Sequence, residues 1–236
     1  AGGGVGGGGG GAGGGGARAA ALGGMATELR KLASQFASRD LPLLDLDVPH
    51  CGDIGAVAAA HACKAHLRGE VGQIALVHNA SLMLKDSAAS CETEAMMRVL
   101  AVNVLAVNTL NRHLLPSMAA GSSVIFVGST LSEKAVAGAY SYVVSKHAQL
   151  GQMRATCQDL IGSGIHTAMV CPGFTDTEML KQHLGGDSDL MMDIGSQNGF
   201  GRLVRPEEIA GVVTWAHESP VVNGSVIHAN LGQIEH

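Results

Sequence analysis

The chain has 236 residues, 46% of them hydrophobic, 15% charged and 3% aromatic, with a formal net charge of −5. That length suffices for one sizeable core, and the negative balance argues against nucleic-acid binding through phosphate contacts. No apolar run approaches the roughly 18 residues of a membrane span, and the stretch from Ala17 to Ala26 is too poor in hydrophobic mass for a signal peptide.

Residues 1–24 hold 15 of the 34 glycines, a composition that by itself reads as a linker. From Ala26 to Ser38 apolar residues recur at helical spacing, with Thr27 as a cap. Leu41 to Val48 is a short apolar run ending in acids, read as a buried strand, and Ile54 to Leu67 is an Ala-rich helix. Ile74 to Val77 is a second buried strand, followed by a polar turn from His78 to Ser81. Glu92 to Leu115 reads as one long helix stopped by Pro116. Ser123 to Val127 (SVIFV) is a β-branched strand, and Gly138 to Gly162 a helix that Gly162 and Gly164 terminate. Ile165 to Cys171 is a further strand, stopped by Pro172-Gly173. Pro206 opens a helix whose first turn carries Glu207 and Glu208, where the macrodipole favours acids. Val226 to Ala229 is the last strand.

Strands that are continuous apolar runs and alternate with helices indicate an α/β protein, a doubly wound parallel sheet covered on both faces. No repeat or internal linker is visible, so residues 1–236 are read as one domain. Such sheets bind ligands at the carboxyl ends of their strands, which singles out Asp47, Asn79, Ser129 and the segment after Pro172.

Of the two tyrosines, Tyr142 precedes Lys146 by four residues in a predicted helix, so both project from one face; Tyr140 has no such partner. That spacing alone also describes a surface Tyr beside a solvated Lys. Ser129 lies thirteen residues upstream, just after a strand. Asn103 sits inside an apolar helix, where Asn is a poor former; either backbone groups satisfy it, or it interrupts the helix at a site. The five cysteines, scattered and odd in number, read as free thiols in a reducing compartment, here the cytoplasm. His61, Cys63 and His66, and likewise His50-Cys51, lack the spacing of a closed metal site, so no metal is expected. Cys171 has no assigned base and is not read as a nucleophile.

Tyr142, Lys146, Ser129 and Asn103 resemble, in type, order and spacing, the signature of the short-chain dehydrogenase/reductases: Tyr-x-x-x-Lys, a Ser about a dozen residues upstream and an Asn on the preceding helix. Leu76 to Ser81 (LVHNAS) resembles the family's Asn-Asn-Ala-Gly turn, with His78 and Ser81 as departures. Asp47-Val48 resembles its adenine-pocket acid, Pro172-Gly173 with Thr177 its Pro-Gly-x-x-x-Thr segment, and GRLVRPEEIA its Gly-Arg-x-x-x-Pro-Glu-Glu-Ile-Ala stretch. Asn230-Leu231-Gly232 stands where Asp-Gly-Gly is usual.

The resemblance implies a three-layer Rossmann-type fold and reversible hydride transfer between NAD or NADP and a carbonyl or alcohol. It makes Tyr142 the general acid/base, assisted by Lys146, Ser129 and Asn103. Lys146 would lower the Tyr142 pKa and also hold the nicotinamide ribose; Asn103 would order a water for proton resupply. On the cofactor side it implies Asp47, Val48, Asn79, Ala80, Pro172, Gly173, Thr175 and Thr177, with Tyr142 and Lys146. The family's Gly-rich loop falls in the first 24 residues, where Gly7, Gly11 and Gly13 fit with Ala12 between the last two. Residues 174–200, rich in Met and Leu, correspond to the substrate lid; apolar stripes of this kind also pack on cores. The implied partners are a small carbonyl or alcohol and further copies of the chain, in a dimer or tetramer. Two alternatives stand beside this reading: a pterin-type reductase, hinted by the His-Asn-Ala-Ser turn, and a non-catalytic dinucleotide-binding regulatory or scaffold protein.

Overall fold

Strand β2 (Ser123–Val127) is buried at every residue, as is β3 (His166–Pro172). Side chains alternate across a strand, and here both faces are covered. Val124 and Phe126 of β2, with Met169 and Cys171 of β3, point into one apolar cluster. Ile125 and Val127, with Ala168 and Val170, point into a second cluster on the other side. That is the physical reason for the unbroken apolar runs in the sequence: neither side of the sheet faces water.

The computed structural model describes residues 73–233. The elements expected over 26–38, 41–48 and 54–67, the residues Gly7, Gly11, Gly13, Asp47 and Val48, and the His/Cys group at 50–66 lie outside that range. Within it, β1 (Ala75–His78), β2, β3 and β4 (Ser225–Ala229) form a sheet in the order β1-β2-β3-β4, every neighbour parallel. Parallel neighbours require crossovers, and helices supply them.

The first crossover runs through α1 (Thr93–Leu100) and α2 (Ala106–Leu114), joined by a π-helical turn at Ala101–Leu105. The long helix expected from Glu92 to Leu115 therefore exists in outline, with its hydrogen-bond register broken around Asn103. Leu110 and Leu114 of α2 join the first cluster.

Helix α3 (Tyr140–Asp159) leads from β2 to β3 and packs Leu150 and Met153 into the same cluster. It begins two residues later than expected, because Gly138 has φ +82°, outside helical space. The main-chain N–H of Ser141 instead donates to the Asp86 carboxylate at 3.0 Å, and Asp86 forms a β-bridge with Ala139. A helix start capped from 55 residues away leaves no local sequence signal. At the other end Gly162 and Gly164 have φ of +84° and +73°, as the terminator reading expects.

After β3 come two short helices, α4 (Glu178–His183) and α5 (Ser188–Ser196). Gly195 is their single buried residue, so this pair does not contribute an apolar face to the core. Helix α6 (Pro206–Glu218) covers the second cluster with Ile209, Val213 and Ala216. Its Glu208 carboxylate accepts from the Arg205 main-chain N–H at 2.9 Å and pairs with Arg202 at 2.8 Å. No helix among the described residues is long and apolar enough to cross a membrane.

Candidate active site

The carboxyl ends of β1, β2 and β3 open into Asn79-Ala80, Gly128-Ser129 and Pro172-Gly173. Ser129, half-buried, leaves β2 in extended backbone geometry and caps a 3-10 turn over Thr130–Ser132. Its hydroxyl accepts from the Leu131 N–H at 3.1 Å, and its own N–H donates to the Ser132 hydroxyl at 3.2 Å. These two hydrogen bonds pin the residue where the chain changes direction.

Tyr142 and Lys146 lie in the first two turns of α3 and are 8% and 1% exposed, whereas Tyr140 is 41% exposed. Tyr142 and Lys146, four residues apart, share the buried face of α3, and Tyr140 does not. Burial pushes the Tyr142 phenol up to about 12, and hydroxyls of Ser129 and Ser81 beside it act in the opposite direction. The Lys146 ammonium sits 5.5 Å from the Tyr142 ring centre. It donates to the Val127 carbonyl at 3.0 Å and to the Gln149 amide oxygen at 2.9 Å. Burial pushes the lysine down to about 8. Desolvation of the ring outweighs what the two hydroxyls return.

Asn103 is fully buried in the π turn. Its oxygen accepts from the Leu82 N–H at 2.7 Å. Its amide nitrogen donates to the Leu82 carbonyl at 2.9 Å and to the Ser145 hydroxyl at 2.8 Å. Both readings of this residue hold in part: the helix is interrupted, and protein groups satisfy the side chain. Ser145 passes the connection on by donating to the Tyr142 carbonyl at 2.7 Å. Asn103 thereby ties the segment after β1 to the turn of α3 that carries Tyr142.

The remaining expected residues that fall among the described ones follow the ends of β1 and β3. Asn79 and Ala80 are half-buried just past β1. The Asn79 amide oxygen is buried with no hydrogen-bond partner among the described residues. Pro172 ends β3, and the Gly173 N–H donates to the Ala229 carbonyl at 3.2 Å. A Cβ at Gly173 would stand 2.9 Å from the Asn230 Cβ, so only glycine fits. Thr175, buried, donates its hydroxyl to the Gly173 carbonyl at 3.0 Å. Thr177 caps α4, accepting from the Leu180 N–H at 3.3 Å.

Sequence reasoning did not assign roles to Ser81, Ser145, Gln149 or Asp86. Ser81 did stand out as a departure from the expected turn, whereas Gln149, in a helix rich in polar residues, carried no signal of its own. Cys171 reaches the same region from β3; burial pushes its thiol up to about 11, which makes it an inert core residue at neutral pH. Among the described residues no group of three His, Cys, Asp or Glu side chains could hold a metal ion.

A protein-family model described as enoyl-(acyl carrier protein) reductase matches residues 16–233. The 2-keto-3-deoxy-L-fuconate dehydrogenase of Xanthomonas campestris pv. campestris is 30% identical over 203 residues, covering 83% of this chain and 62% of that one. A variant of the Serratia marcescens short-chain dehydrogenase/reductase superimposes with TM-score 0.77 at 24% identity, over 90% of this chain and 94% of that one. The angucycline C-6 ketoreductase LanV, solved with bound NADP, superimposes with TM-score 0.67 at 25% identity, over 75% and 70%. The chain spans between 38% and 62% of the length of the first curated relatives it matches. A family match across nearly all of the sequence, a Rossmann-like parallel sheet and the gathering of Tyr142, Lys146, Ser129 and Asn103 at its carboxyl edge agree: the chain belongs to the short-chain dehydrogenase/reductase family.

Proposed function

We propose that this protein is an NAD(P)-dependent oxidoreductase acting on a small carbonyl or alcohol, with Tyr142 as the proton donor and acceptor. One observation carries the reading: a buried phenol with a strand-end serine hydroxyl against it and a buried lysine one helical turn away. A site for binding alone has no need of that set.

The residues present fit a dinucleotide. The orphaned Asn79 oxygen supplies a buried acceptor at the end of β1, suited to a ribose hydroxyl or an adenine amine. Lys146 has three N–H donors, of which two are used, so one remains for a ribose hydroxyl. Ala80, Gly173, Thr175 and Thr177 line the same edge. The bound nicotinamide would supply or accept the hydride. The solved ketoreductase that holds NADP supports this choice of cofactor class.

In the reducing direction the neutral phenol of Tyr142 donates its proton to the substrate oxygen, which the Ser129 hydroxyl holds in line. A phenol pushed up to about 12 is fully protonated at neutral pH, so the donor is always loaded. In the oxidising direction the phenol must first lose that proton, and the Lys146 ammonium offsets part of the penalty by favouring the phenolate. Asn103 fixes the position of Tyr142 through Ser145.

Leu190, Met192 and Phe200 are exposed apolar groups on the 174–200 segment. That supports a role as a substrate lid and a substrate with an apolar portion. Met97 and Val144, exposed on α1 and α3, support assembly of copies through these helices. The three described cysteines are free thiols, which supports a reducing compartment such as the cytoplasm. The direct test is a panel of ketones, aldehydes and pterins offered with NADH and with NADPH, followed by loss of nicotinamide absorbance. Turnover of a carbonyl with either cofactor is expected; binding of both cofactors with no turnover across the panel would favour a regulatory protein.

A further inference from the structure

Helix α3 carries a polar side chain beside Lys146 that the reaction does not use. Gln149 is fully buried, three residues after Lys146, in a helix that sends Leu150 and Met153 into the core. Its amide oxygen accepts from the Lys146 ammonium at 2.9 Å, next to the Val127 carbonyl at 3.0 Å. A lysine has only donors to offer, so the oxygen and not the nitrogen must face it. The amide nitrogen is then left buried with no acceptor among the described residues. A buried orphan donor is unfavourable, and an aliphatic residue at this position would avoid it.

We propose that Gln149 is a positioning residue for Lys146, holding the ammonium against the Val127 carbonyl in its charged form with one N–H left over for the site. The inference rests on the oxidoreductase reading for its purpose, though not for its geometry. With Gln149 removed, the ammonium keeps a single acceptor among the described residues and releases its proton more readily. The titratable groups that bear on it are Tyr142 on the same helix and Cys171 from β3. Both are neutral at pH 7, so neither replaces the lost oxygen.

The test follows the Lys146 titration directly, by carbon-detected magnetic resonance of the ε-methylene in cofactor-free protein labelled with ¹³C-lysine. Loss of the signal in K146M assigns it. In Q149L the titration is expected to fall by about one pH unit, a tenfold loss of proton affinity, the size expected for one hydrogen bond to a charged group. In Q149E, with a carboxylate in place of the amide, it is expected to rise. Q149M repeats the first measurement should Q149L fail to fold. A titration that stays within 0.3 units (roughly a twofold change) in both an aliphatic variant and Q149E overturns the proposal. Shifted titrations in a protein that turns over nothing would leave Gln149's role standing and remove the enzyme reading. Turnover that requires Tyr142, with an unmoved lysine, would do the reverse.

Discussion

Helices α3 and α6 cover the same sheet and are built on opposite rules. Helix α6 is conventionally amphipathic: Ile209, Ala210, Val213 and Ala216 are buried, and its acids face water or pair with Arg202 and Arg205. Helix α3 buries Ser141, Tyr142, Ser145, Lys146 and Gln149 alongside Leu150 and Met153. An amphipathic stripe is enough to hold a helix on a sheet, so the buried polar groups of α3 are present in spite of packing. The difference separates a helix built for burial from one whose buried polar groups suit the proposed chemistry.

The largest expected effect breaks α3 at the proposed proton donor. Tyr142→Phe keeps the ring and removes one oxygen, so kcat/KM for carbonyl reduction should fall by about 10²- to 10⁴-fold. Fluorescence titration of the reduced cofactor should give an almost unchanged Kd. The matching change in α6 is Ile209→Ala, which should cost about 2–5 kcal/mol of stability as a lower urea midpoint. Turnover per folded molecule should stay near that of the parent, since Ile209 lies in the cluster on the far side of the sheet.

The contrast extends to pH. Lys146 is pushed down to about 8 by burial, while the unfolded chain titrates it near 10.4. Just above pH 8 the unfolded state binds more protons at Lys146, so stability should rise by about 1.4 kcal/mol per pH unit until about pH 9, where the Cys171 thiol, pushed up to about 11, begins to act in the opposite direction. Below pH 8 the full burial penalty is present. Urea titrations between pH 8 and 9 should show the slope in the parent and lose most of it in K146M. Glu208, at the start of α6, is stabilised by its charge where Lys146 is penalised for it. Hydrogen bonds from Arg202 and Arg205 hold its carboxyl down at about 2. Its contribution is complete above the usual carboxylate range and is lost as pH falls toward 2. Because the pair is solvent-screened, E208Q should cost only about 1 kcal/mol at neutral pH and nothing measurable in acid.

The same contrast governs what the sequence could disclose. Helix α6 was legible in full, because Pro206, two acids and apolar spacing are all local signals. Strand β2 emerged with its bounds intact, since SVIFV is apolar on both faces. In α3 the Tyr142–Lys146 spacing was readable, but the start of the helix was not, because its cap comes from Asp86. Neither the Lys146 contacts with Gln149 and Val127 nor the Asn103–Leu82 tie has a periodic signature; they arise only when distant segments meet. Asn103 was recognisable as anomalous, and the π turn is the structural form of that anomaly.

The Asp86 bridge also bears on how the protein breathes. Its carboxylate receives the Ser141 N–H, its main-chain N–H donates to Gly138 and its carbonyl accepts from Tyr140. Fraying the first turn of α3 therefore means detaching the segment beyond β1 at the same moment. Amide exchange at Tyr140, Ser141 and Asp86 should share one opening free energy, making two stretches 55 residues apart a single cooperative unit.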